Sequence, residues 1–187
     1  MFRIQPSIRK QKGNDGLRFR VQPAISYPQP DCPTENRELV IITGATRGIG
    51  KEFACFFASR GYDLLITGRR KEIITGVADE IRREYGVKVE VVLADLSVKE
   101  DMTSLLRIVC GHRNIAALVN NAGYGMNLTF REDELEHQTA MITVHVNAPL
   151  MLIHKVLPQM IQKRDGIIIN VSSMAAYFPA AGSPAST

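Results

Sequence analysis

The sequence has no tryptophan, three cysteines and four histidines in 187 residues. Cys32, Cys55 and Cys110 are an odd set without a CxxC pair or a histidine at ligand spacing, which excludes a disulfide framework and a zinc site and points to a reducing compartment. His137, His145 and His154 share a helix-rich region but lack metal spacing, so they read as structural and no metal is expected. Nowhere do about 18 or more apolar residues run uninterrupted, and the N-terminus lacks the short apolar core of a secretory signal. A soluble cytoplasmic protein with no membrane partner is the expectation.

Charge of one sign is also scarce in most of the chain. The formal charge is +4, but seven of the 23 Lys/Arg and three of the 19 Asp/Glu fall in residues 1–37, leaving 16 of each in the remainder. A nucleic-acid partner would need basic residues clustered on that remainder, and none are, so none is expected. Residues 1–37 show no sustained period of 2 or 3.6, and Pro6, Gly13, Gly16 and Pro23 interrupt the amphipathic helix that a transit peptide needs. They read as a disordered extension.

From Glu38 onward, short apolar runs alternate with helix-length amphipathic segments. The pattern predicts one α/β domain over 38–187, a doubly wound parallel sheet of the Rossmann type. Strands are expected near 39–43, 62–67, 87–93, 115–120 and 166–172, and helices near 48–60, 70–85, 98–110 and 132–162. Pro149 and Pro158 predict a kink or break in the last helix.

The segment ELVIITGATRGIGKEFACFFASRG carries the most chemistry. A buried strand runs into Thr43 and Gly44, then Thr46, Arg47, Gly48, Ile49 and Gly50 open a helix. Gly44 allows a tight turn, Gly48 lets the backbone approach a pyrophosphate, and Gly50 lets helix and strand pack closely. Uncapped N–H groups at the helix start suit an anion. A glycine triplet alone is weak evidence, but this one sits at the strand-to-helix junction of the first βα unit.

The spacing Gly-x-x-x-Gly-x-Gly resembles the fingerprint of the short-chain dehydrogenases/reductases, and four further motifs follow in order. Asp95 in LADLS follows the third strand, where the family places an Asp against adenine. Asn120-Asn121-Ala122-Gly123 matches the family's NNAG signature after the fourth strand. Asn147 holds the position of the active-site Asn, and Asn170-Val171-Ser172-Ser173 matches NVSS. The resemblance implies a cofactor site formed by Thr43, Gly44, Thr46, Arg47, Gly48, Ile49, Gly50, Arg69, Asp95, Leu96, Asn121, Ala122 and Gly123. It further implies that Ser173 holds the substrate oxygen and Asn147 a proton-relay water. Read without the family, Asp95 and Asn120 could equally cap the segments after their strands, and Asn147 could be a satisfied core amide.

An acid after the second strand would reserve the site for a ribose 2′-hydroxyl, and it is missing. Arg69 and Arg70 stand there instead, with Arg47 in the glycine loop, so NADP (NADPH) is expected over NAD unless these arginines are merely solvated surface charge. The family chemistry is hydride transfer between nicotinamide and a carbonyl or alcohol carbon. The expected partner is a small carbonyl or alcohol molecule, its pocket touched by Tyr124, Met126 and Leu128. A homo-oligomer is expected of the complete protein because the family commonly pairs through its fourth and fifth helices.

The resemblance also implies a Tyr-x-x-x-Lys motif about a dozen residues after Ser173. No such motif follows Ser173: Tyr177 has Ala181 four residues later. The expectation is a domain incomplete at its C-terminal end. Residues 1–187 alone are expected to show no NADPH-dependent carbonyl reduction, because loss of a general acid–base pair removes about 10²- to 10⁴-fold in rate. NADPH absorbance followed over a panel of ketones and aldehydes checks this, and robust turnover abolished by Ser173→Ala would refute it.

Overall fold

The computed structural model describes residues 37–125 and 131–173. Almost all of the N-terminal extension, with Cys32, lies outside the described residues, as do Met126, Leu128 and Tyr177. The five apolar runs form β1 (Leu39–Thr43), β2 (Asp63–Gly68), β3 (Val89–Leu93), β4 (Ile115–Asn120) and β5 (Ile167–Asn170). Between them lie α1 (Gly48–Ala58), α2 (Lys71–Tyr85), α3 (Lys99–Gly111), α4 (Leu135–Ile142) and α5 (Ala148–Lys163), with a π-helical turn at Thr143–Asn147 joining the last two.

All four strand pairings are parallel, in the order β3-β2-β1-β4-β5. The chain winds outward from β1 to β3, then crosses back to place β4 on the other side of β1. The sheet is therefore doubly wound, with its topological switch between β1 and β4. Alternation along β1 shows why both faces must be covered. Leu39 and Ile41 enter one core layer with Leu105, Leu118 and Leu152 from α3, β4 and α5. Val40 and Ile42 enter the other with Ala54, Phe57, Ile74 and Ile81 from α1 and α2. Every residue of β1 is buried, which is why LVII is apolar throughout rather than alternating, with only Thr43 at its end polar.

The last helical region departs from expectation in a specific way. Helix starts at Leu135, and Leu135–Lys163 is continuous over 29 residues. Its irregularity lies just before Pro149, where the Ala148 N–H bonds the Thr143 carbonyl, five residues back. Pro149 has no N–H to continue the ladder, so a π turn absorbs the fault and Pro149 becomes an ordinary first-turn proline. Pro158 is carried inside α5 without ending it.

By length and composition this helix could cross a membrane, although it contains no uninterrupted apolar run of that length. One face, Ala148, Leu152, Val156 and Met160, packs into the core. Another leaves Ile142, Val146, Leu150 and Ile161 exposed.

Leu152 is 0% exposed, whereas Leu150 two residues away is 63% exposed. Leu152→Ala is therefore expected to destabilise the protein by about 2–5 kcal/mol, and Leu150→Ala by no more than about 0.5 kcal/mol. Urea denaturation of the two variants against the parent reads the difference.

Candidate functional site

The carboxyl ends of β1, β2, β3 and β4 open onto one cleft of ≈ 830 Å³. Gly44, Thr46, Arg47, Gly48 and Ile49 form its floor and Gly68, Arg69 and Arg70 one side. Ala94, Asp95 and Leu96 lie beside them, with Asn121, Ala122, Gly123 and Tyr124 opposite. This is where an open α/β sheet binds its ligand.

The glycine loop is shaped by contacts with the β4 end. Gly44 has φ +70°, and a Cβ there would lie 2.8 Å from the Ala122 Cα. A Cβ on Gly50 would approach the Gly44 carbonyl oxygen and the Asn121 side-chain nitrogen to 2.4 Å. Gly50 therefore serves close packing and lies beneath the cleft rather than on it. Gly48 is different: its φ is +56°, and a Cβ there would meet nothing within 4 Å. Arg47 is extended at the N-cap of α1, and no side chain caps the helix. Its first amides are left to an anion, favoured by the helix dipole.

Thr43 is buried and does not line the cleft. Its Oγ1 accepts the Asn121 and Ala122 amides at 3.0 Å each and donates to the Val119 carbonyl at 3.4 Å. Asn121 returns the link: its Nδ2 donates to the carbonyls of Thr43 and Gly44, both at 3.0 Å. The Asn121 side chain thus holds the loop, and Ala122 and Gly123 present backbone to the cleft. Asn120 is buried, and its Nδ2 donates to Asn170 Oδ1 at 2.8 Å, tying β4 to β5.

Asp95 accepts the Ser97 amide at 2.9 Å and the Ser97 hydroxyl at 2.6 Å, so it does close the turn after β3. Its second oxygen faces Arg69 Nη1 at 3.3 Å. Partial burial pushes its carboxyl up, but the Ser97 and Arg69 hydrogen bonds outweigh this and hold it below the ordinary carboxylate range. Arg69 also lies over the Tyr124 ring, 5.8 Å from its centroid. Arg70 Nη2 donates to Thr46 Oγ1 at 3.2 Å, so the three arginines flank one cleft from different anchors.

Asn147 ends the π turn and is exposed, which removes the reading of a satisfied core amide. Ser173 is exposed three residues beyond β5. Neither lines the cleft. Sequence reasoning missed Thr67, Gly68, Ala94 and Val144 in the cleft wall. Gly68 carried a readable signal: it is a glycine at a strand end, where a Cβ would lie 2.7 Å from Thr46 Cγ2. Val144 had none, because only the fold brings the π turn to the cleft.

Residues 38–185 match the family model for short chain dehydrogenase. A very-long-chain 3-oxoacyl-CoA reductase of Vanderwaltozyma polyspora is 32% identical over 169 residues, 85% of this chain and 48% of its own. The inactive hydroxysteroid dehydrogenase-like protein 1 of Homo sapiens is 31% identical over 141 residues, 74% of this chain and 43% of its own. The chain thus spans about half the length of the curated relatives it matches. The structure of a short-chain dehydrogenase from Sphingobium yanoikuyae in complex with NADPH aligns with a TM-score of 0.74 and 34% identity, covering 78% of this chain and 57% of that one.

Asn121→Ala would leave the Thr43 and Gly44 carbonyls without their side-chain donor. A loss of about 1–3 kcal/mol in urea denaturation is expected, because a buried acceptor left unpaired costs its desolvation.

Proposed function

The chain belongs to the short-chain dehydrogenase family, and on that premise we propose that the complete protein is an NADP-dependent oxidoreductase that reduces a carbonyl substrate. The observation that carries the cofactor choice is the end of β2. Arg69 stands where an acid would favour a 2′-hydroxyl, with Arg47 and Arg70 on the same cleft. Three cations, with no acid at the end of β2 and Asp95 alone facing Arg69, suit a 2′-phosphate through charge-assisted hydrogen bonds.

The residues present fit the cofactor. The open space in front of Gly48 and the uncapped start of α1 leave room and donors for a pyrophosphate. Asp95, held ionised, offers an acceptor for an adenine amino group, with Leu96 beside it. When bound, NADPH supplies the hydride. Arg47 and Arg69 would bind its 2′-phosphate, while Ala122 and Gly123 wall the cleft. Ser173 would hold the substrate oxygen, and Asn147 would anchor a water that passes a proton.

The similar proteins support two different readings of the chemistry. The Vanderwaltozyma protein is named a reductase, and the Sphingobium protein is in complex with NADPH. The human relative is named inactive, which favours a non-catalytic NADP-binding module as the second reading. NADPH oxidation by the full-length protein, lost in Ser173→Ala, would select the first.

The full-length protein is expected to bind NADPH more tightly than NADH, and Arg69→Asp to narrow or reverse that preference by about ten- to a hundredfold, the worth of a hydrogen bond to a charged group. Fluorescence titration with both cofactors measures it. Tighter NADH binding by the unmutated protein would overturn the NADP assignment.

A further inference from the structure

We propose that His145 is a positioning residue that pins the loop after β4 against the cofactor cleft, an inference that rests for its functional half on the cofactor reading above. His145 lies in the π turn, two residues before Asn147, and its Nε2 is 3.1 Å from the Tyr124 amide nitrogen and 3.0 Å from the Tyr124 carbonyl oxygen. One ring nitrogen makes only one of these bonds at a time. In the tautomer with the proton on Nδ1, Nε2 accepts the Tyr124 N–H. In the other, Nε2–H donates to the Tyr124 carbonyl. Either tautomer ties the same backbone unit.

Two further contacts make the pin specific. A Cβ on Gly123 would lie 2.7 Å from the His145 ring, so a side chain at this position would push the imidazole off Tyr124. The Tyr124 ring also meets the imidazole edge to face, with centroids 6.0 Å apart, and Arg69 lies over the same ring at 5.8 Å. His145, Tyr124, Arg69 and Asp95 therefore run as one chain of contacts across the cleft. The first of them shares a turn with Asn147.

The mechanical consequence follows from the π turn. With five residues in the turn, His145 and Asn147 move as a unit, so the loop that walls the cofactor and the residue proposed to hold the relay water keep one spacing. Releasing the loop loosens Tyr124 and, through it, Arg69. The cost falls on cofactor affinity more than on the fold, because His145 is exposed and contributes nothing to either core layer.

The test uses the full-length protein with His145→Ala, His145→Gln, Gly123→Ala and the double variant Gly123→Ala/His145→Ala. Amide hydrogen exchange without cofactor reads the pin directly: exchange over residues 123–125 should quicken at least about fivefold in His145→Ala and return towards the parent rate in His145→Gln, whose amide reaches about as far as Nε2. NADPH affinity should fall about five- to tenfold in His145→Ala and within about twofold in His145→Gln, with the thermal midpoint little changed. Gly123→Ala should weaken NADPH binding in the parent but add nothing to His145→Ala, since the obstacle to its Cβ is gone.

Unchanged exchange in His145→Ala, or strictly additive losses in the double variant, overturns the proposal. A parent that fails to bind NADPH while the exchange pattern holds overturns the cofactor reading instead, and with it only the functional half of this one.

Discussion

The knot between Thr43 and Asn121 is the constraint on which the site depends. Two strands that are neighbours in the sheet but 76 residues apart in sequence end together, and their last polar groups satisfy one another: the Thr43 hydroxyl takes two amides, and the Asn121 amide takes two carbonyls. At a topological switch the chains leaving β1 and β4 turn to opposite faces of the sheet, which opens a crevice. Backbone groups at such an opening would otherwise lie buried without partners, at the cost of a lost hydrogen bond each. The knot closes that account and brings Gly44 so near the Ala122 backbone that no side chain fits at position 44.

Around the knot, polar residues divide the labour between holding and binding. Thr43, Gly50 and the side chains of Asn120 and Asn121 are committed to the protein itself. Gly48, Arg47 and Arg69 face the cleft, where they are exposed or only lightly engaged. Asp95 does both, closing the turn to Ser97 with one oxygen and meeting Arg69 with the other. A carboxylate held below its ordinary range by these bonds stays ionised as an acceptor throughout the neutral range.

The π turn links this frame to Asn147. Pro149 interrupts the helical ladder, and the π turn before it, Thr143–Asn147, carries Val144 on the cleft wall and His145 against Tyr124. The rest of the helix is anchored in the core by Leu152 and Val156.

Much of the fold was legible in the sequence because its signals are local. A strand buried on both faces must be apolar throughout, a helix on a sheet must be amphipathic, and a turn that reverses at Gly44 needs a residue that tolerates positive φ. These rules place β1 to β5 and the first three helices within a few residues, and they mark Gly44, Gly48, Asp95 and Asn121 as the polar or small residues at strand ends. Their division of labour was not legible. Whether Asp95 caps or binds, whether Asn147 is buried or exposed, and what a side chain at Gly123 would meet depend on groups many residues away: Arg69, the π turn and the His145 ring. The sequence by itself determined the strand ends and most of the strand-end residues around the cleft, since burial and backbone geometry act along the chain, but not Val144, which only the fold brings there. Only the tertiary structure decided which of them hold the protein and which are left for a ligand, since a polar group's role is set by the partner that reaches it in space.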